Sequence, residues 1–169
     1  MDLALTEDFL NTIDERTFAV QGKAHVPGDA LTSPATLATW LAAHGFSDEV
    51  GDRELEAARS LRSALRAALG TDSTDATARA LARFPLRLTP DDSGRLQVAA
   101  STGVRGLDTI VETVAVSVAD GGWRRMKLCA SPDCRWAFHD ASRNGAGRWC
   151  SMGACGNRHK TRAYRQRQA

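Results

Sequence analysis

The sequence predicts an α+β chain: a mostly helical N-terminal domain with one β-hairpin, followed by a small cysteine-rich module made of a hairpin and a basic helix. Three observations carry that prediction. Apolar residues recur at helical spacing through most of the first 120 positions. The period drops to two on either side of the turn "PDDSG". All four cysteines fall after residue 128, where the charge also changes sign.

The elements follow in order. A first helix is expected around residues 5–13, with Phe9, Leu10 and Ile13 turned inward, and residues 19–31, with two Gly and a Pro, read as a loop. In "SPATLATWLAAHG", Ser33 is placed to cap a helix, Pro34 suits its first position and Gly45 its end; Leu37, Trp40 and Leu41 share one face. Residues 52–69 carry an apolar stripe of Leu55, Ala58, Leu61, Leu65 and Leu69 before Gly70. A shorter helix over 74–84 runs into Phe84-Pro85. Leu86 and Leu88, then Leu96 and Val98, alternate across the turn as a β-hairpin. The most regular segment is Leu107, Ile110, Val111, Val114, Ala115 and Val118, an amphipathic core helix ended by Gly121-Gly122. That glycine pair sets the expected domain boundary, with 1–121 as one domain and 122–169 as the second. Trp123, Met126 and Leu128 just beyond it are apolar enough to pack the two together.

Composition bounds the function. With 169 residues, 43% hydrophobic and 25% charged, the chain reads as soluble and globular. No apolar run approaches the roughly 18 residues a membrane span needs. The opening "MDLALTEDFLNTIDERT" lacks the basic and apolar regions of a signal peptide, so a cytoplasmic address is expected, where disulfides are disfavoured. Residues 1–120 hold 11 Lys and Arg against 18 Asp and Glu, whereas residues 121–169 hold 11 against only Asp133 and Asp140. A basic module on an acidic body points to a polyanionic partner for the module alone.

The cysteines stand as Cys129-x4-Cys134-x15-Cys150-x4-Cys155. Two close pairs joined by a hairpin-sized segment are how tetrahedral zinc sites are assembled, each turn supplying two thiolates. Between them, Trp136 and Phe138 at period two, the turn-rich "RNGAG" and the returning Trp149 read as that hairpin. So small a module buries too little to fold unaided, and structural zinc supplies about 10–16 kcal/mol in comparable peptides. Four thiolates fill the coordination sphere, which makes the expected site structural, not catalytic. The alternatives are a disulfide or redox pair, in which oxidation expels zinc and melts the helix, and His139 replacing one cysteine.

Beyond the cysteines, a helix over 156–168 would put Arg158, Arg162 and Arg165 on one face, with Lys160 and Arg167 beside it and Tyr164 as an amphipathic ring. Its cations suit phosphates, and Asn157 and Arg158 at the leading end are of the types that contact base edges. A solvated face or disordered tail is the alternative, and RNA or an acidic protein would also suit a basic module. Double-stranded DNA is the expected partner, with a homodimer offering two half-sites. In the N-terminal domain, Asn11, Thr12 and Asp14 could line a small-molecule effector pocket, or simply cap and solvate the surface. No nucleophile elbow, P-loop or dinucleotide fingerprint is present, so no enzyme activity is expected.

The stretch "CASPDCRWAFHDASRNGAGRWCSMGACGNRHKTRAYRQR" resembles the CGNR zinc finger, named for the tetrapeptide at Cys155-Gly156-Asn157-Arg158. With the early "DFLNTID" and the chain length, the resemblance extends to proteins that join this finger to an N-terminal ABATE domain, a family assigned to stress-induced transcription regulation in bacteria. It implies one zinc at Cys129, Cys134, Cys150 and Cys155, a treble-clef-like finger that binds DNA, and a regulatory or sensor role for residues 1–121. His139 departs from the pattern, standing where the family carries an apolar residue.

Overall fold

The computed structural model describes residues 2–19, 25–70 and 74–168. In chain order they form α1 (Ala4–Leu10), β1 (Ile13–Asp14), β2 (Gly28–Asp29), α2 (Pro34–Ala43), α3 (Asp52–Leu69), α4 (Asp75–Leu81), β3 (Leu86–Pro90), β4 (Leu96–Ala100) and α5 (Arg105–Ala119). A 3-10 turn (Gly122–Arg125) leads to β5 (Met126–Leu128) and β6 (Ala137–His139); a π-helical turn (Met152–Gly156) leads to α6 (Asn157–Gln168). Each sheet is an antiparallel two-stranded pair: β1–β2, β3–β4 and β5–β6.

Local signals explain the helix ends. Ser33 accepts from Thr36 N while Thr36 Oγ1 accepts from Ser33 N, a reciprocal cap behind Pro34. Leu55, Ala58, Leu61 and Leu65 are buried along α3, and Leu107, Ile110 and Val111 along α5, as their spacing requires. The leading end of α5 is capped from afar: Asp48 accepts from Arg105 N at 2.6 Å and from Gly106 N at 3.0 Å.

Three elements differ from the sequence expectation. The first helix stops at Leu10, three residues early, because Thr12 turns its hydroxyl onto Phe9 O and the chain enters β1. The expected loop 19–31 contains β2, held by Ala30 N donating to Thr12 O; positions 20–24 of that loop lie outside the described residues. The fourth helix ends at Leu81, not 84. The hairpin alternates as expected, Leu88 opposite Val98 and Pro90 opposite Leu96, but its apolar face is largely solvent-facing, with Leu88 71% and Leu96 72% exposed.

One core holds the body together: Phe9, Leu10, Leu37, Leu41, Leu61, Leu107 and Ile110, from α1, α2, α3 and α5. Met126 of β5 and Ala137 of β6 belong to that same core. Two arginines on α3 are buried beside it. Arg62 donates to Thr12 Oγ1 at 2.8 Å and clamps Asp29 with two bonds, tying β2 to α3. Arg66 donates to Leu10 O and to Arg135 O and pairs with Glu15, so it reaches from the body into the cysteine-bearing module. Among the described residues no helix is long and apolar enough to cross a membrane.

Gly106 sets how closely α5 approaches α2, since a Cβ there would stand 2.3 Å from Leu41 Cδ2 and 3.2 Å from the Phe46 ring. Gly106→Ala is therefore expected to lower the unfolding free energy by about 1–3 kcal/mol in urea titration, the usual result of overpacking. An unchanged urea midpoint would contradict this packing.

Candidate metal centre and nucleic-acid interface

Two tight turns bring the cysteines together. Cys129 follows β5 and donates its N–H to Trp136 O at 2.8 Å; Cys134 N donates to Ser131 O at 2.9 Å, which closes the first turn. Arg135 leaves that turn at φ 49°, the one non-glycine residue with positive φ among those described. The strain is met by the body: Arg66 bonds the Arg135 carbonyl, and Glu15 pairs with the Arg135 side chain. The second turn is π-helical. Cys155 N and Gly156 N both donate to Ser151 O, and Ser151 Oγ accepts from Ala154 N. Ala130 N donates to Arg148 O at 2.8 Å and ties the two turns to each other.

The four sulfurs lie within 4.8 Å of one another, with Cys134 and Cys150 3.7 Å apart and Cys150 and Cys155 3.8 Å apart. These separations exceed a disulfide bond of about 2.05 Å by far. They match a tetrahedron around zinc, where Zn–S bonds of about 2.3 Å place sulfurs about 3.8 Å apart. By themselves four packed thiols share their charge poorly. Hydrogen bonds from Cys134 and Cys150 pull the Cys129 thiol far down, and the bond to Cys129 pushes Cys134 and Cys150 up. A central dication lets all four ionise together, so the donor set fits one structural zinc. His139 is exposed at the end of β6 and takes no part; its N–H donates to Glu7 on α1 at 2.9 Å.

The segment between the turns has its own hub. Asp140 is buried and accepts from Lys127 Nζ at 2.6 Å, Gly147 N at 2.7 Å and Ser142 N at 3.0 Å. Lys127 also donates to the carbonyls of Gly145 and Gly147. The Lys127 bond, with those from Ser142 and Gly147, holds the Asp140 carboxyl well below the usual carboxylate range. Gly147 is required here, since a Cβ would sit 2.5 Å from Asp140 Oδ1. The hub delivers Trp149 and Cys150 back to the first turn. From the sequence Lys127 and Asp140 counted only as charges; an acid in a module almost without acids was the available signal.

The helix α6 divides its cations. Arg158 turns inward, donating to Ser131 Oγ at 3.0 Å and Asp133 Oδ1 at 2.8 Å, with its guanidinium 3.3 Å from the Phe18 ring centre. Arg162 reaches the other Asp133 oxygen at 3.1 Å. Burial alone would raise the Asp133 carboxyl, but the Ser131 hydroxyl and the Arg158 and Arg162 charges hold it below its ordinary value. His159 stacks on Trp149, ring centres 4.7 Å apart. Asn157, Lys160, Tyr164, Arg165 and Arg167 are exposed. Of the single face expected of Arg158, Arg162 and Arg165, Arg158 is thus drawn inward, Arg162 is exposed but paired with Asp133, and Arg165 is exposed.

The residues expected near an effector pocket make contacts within the fold. Asn11 offers Oδ1 to Ala137 N at 2.8 Å and donates Nδ2 to Ala137 O at 2.9 Å, closing the open edge of β6. Thr12 is buried against Arg62, and Asp14 pairs with Arg16 and His25. Thr17 N donates to Asp133 O, and Arg16 stacks on Trp136 with 4.1 Å to the ring centre.

A helical body gripping a tetrathiolate finger that ends in a basic helix defines the class: a zinc-finger protein with a helical N-terminal domain. The family comparison makes it specific. The chain belongs to the ABATE family, whose model matches residues 3–121 under the description "Putative stress-induced transcription regulator", and the CGNR zinc finger matches residues 125–168. No curated protein matches the chain.

Because Asp140 orients the segment that carries Cys150, Asp140→Asn is expected to weaken zinc affinity about 10- to 100-fold in competition with a chromogenic chelator at neutral pH. Wild-type affinity in that variant would show the hub to be dispensable.

Proposed function

We propose that the protein is a DNA-binding transcription regulator in the cytoplasm, in which zinc holds α6 out from the finger as the DNA-contacting element. The observation that carries this reading is the partition of cations on α6. Arg158 and Arg162 tether the helix to Asp133, so Asn157, Lys160, Arg165 and Arg167 stand on a braced support and face outward. Exposed Lys and Arg neutralise phosphates, and Asn157 at the leading end is the outward residue suited to a base edge. Arg162, its side chain 62% exposed, can contribute to the same surface. Arg158 acts in this reading as the brace.

The N-terminal domain, residues 1–121, is the regulatory part. Its support is the direct grip of Glu7, Asn11, Arg66 and Phe18 on the finger, through which an effector on the body would reach the base of α6. A homodimer would present two helices to two half-sites; the exposed Leu88 and Leu96 of the hairpin favour such a pairing. An RNA or an acidic protein partner is the competing reading, and the binding experiment separates them.

Fluorescence anisotropy with zinc-loaded protein and random duplex DNA should show affinity falling steeply with salt. Replacing Lys160, Arg165 and Arg167 together by Ala should flatten the log–log slope by about 0.9 per lost phosphate contact. Binding indifferent to salt and to this variant, or a strong preference for RNA over duplex DNA, would overturn the proposal.

A further inference from the structure

The four zinc ligands are not equally accessible. Cys129, Cys134 and Cys155 are at most 3% exposed, whereas Cys150 is half-buried. Cys150 also lines two clefts. One, of about 640 Å³, opens between residues 16–19 and the finger and is walled by Arg16, Phe18, Trp136, Ala154 and Arg158. The other runs along the 138–149 segment to Met152. Cys134 and Cys155 border the first cleft from buried positions, their sulfurs 3.7 Å and 3.8 Å from that of Cys150. Cys150 is therefore the least buried of the four, and two partner sulfurs lie close enough to form a disulfide with it after a small shift.

We infer that Cys150 is a modification site for hydroperoxides and that its oxidation ejects the zinc. This rests on the zinc centre and is independent of what α6 binds. The Cys150 thiolate attacks the distal oxygen of the hydroperoxide. An S–O bond forms, the O–O bond breaks, and the departing alkoxide or hydroxide takes a proton from water. Phe18, Trp136 and Ala154 give the cleft apolar walls, and Arg16 and Arg158, though paired with Asp14 and Asp133, keep positive charge beside the anionic oxygen that departs. The thiolate of Cys134 or Cys155 then attacks the sulfur of the Cys150 sulfenic acid; an S–S bond forms, the S–O bond breaks and hydroxide leaves. Two thiolates lose two electrons in all, and one hydroperoxide is reduced to its alcohol, or hydrogen peroxide to water. With two sulfurs drawn into the bridge, the other two would hold zinc too weakly to keep it, and the π-helical turn that starts α6 would lose its anchor at Cys155.

The test uses the full-length zinc-loaded protein titrated with hydrogen peroxide and with cumene hydroperoxide. A metallochromic dye follows zinc release, and mass spectrometry maps the bridges. Expected are one zinc released per disulfide formed, every bridge containing Cys150 joined to Cys134 or Cys155, and recovery on adding reductant with zinc. Filling the cleft by Ala154→Trp should slow release roughly tenfold. Bridges that lack Cys150, first alkylation by iodoacetamide at another cysteine, or zinc retained under a large excess of both oxidants would each refute the assignment. Because DNA is absent from these readouts, failure of the DNA-binding proposal leaves the result interpretable.

Discussion

Four thiolates held around one dication are the constraint on which the C-terminal third of the chain depends. That module has Phe138, Trp136 and Trp149 as its large apolar side chains around the cysteines, too few for a core of its own. Each cysteine pair sits on a turn of its own, and the two turns meet through the small cluster around the sulfurs and the Ala130–Arg148 backbone bond. A central cation converts their proximity into a fixed geometry. It also leaves the centre net negative, and the two guanidinium groups bordering it, Arg16 and Arg158, are of the matching sign. The hydrogen bond of Arg16 to Asp14 is the main reason its guanidinium is held more firmly protonated, and Cys134 and Cys150 add to it.

The second constraint is the joint between finger and body. The main core runs without a break from α1 and α3 into Met126 and Ala137, so β5 and β6 are part of the body as much as of the finger. Strand β6 would present an open edge, and α1 covers it with Asn11 and Glu7. Arg66 supports the strained Arg135 carbonyl behind Cys134. Segment 16–18 then lies over the zinc turn through Trp136, Asp133 and Arg158. A change in residues 7–18 therefore bears on the metal turn and on the first turn of α6 within one contact each, the path that the proposed regulatory role of this domain would use.

Much of this was legible in the sequence because it is local. The cap at Ser33, the stripes of α3 and α5, the hairpin turn and the paired cysteine spacing all depend on residues a few positions apart, and periodicity reads them directly. The basic helix was legible for the same reason. What escaped was set by distant partners. Arg62 and Arg66 sit in an ordinary amphipathic pattern, and partners more than thirty positions away, Asp29 and Glu15 among them, hold them buried. Arg158 looked like a member of an outward face until Asp133 and Phe18 drew it in. Asn11 carries no local mark of its role, since its partner, Ala137, lies on the far side of the chain. The early end of α1 is of this kind in part, set by the local bond of Thr12 to Phe9 O together with the pairing of β1 to the distant β2.

The claim beneath both constraints is that zinc is bound by sulfur alone at Cys129, Cys134, Cys150 and Cys155. Zinc K-edge X-ray absorption on protein purified without added metal tests it most directly. The expected result is a single shell of four sulfurs at about 2.3 Å. A shell containing nitrogen or oxygen ligands at about 2.0 Å would contradict it, because a sulfur would then be free and the turn leading into α6 would be held by something else.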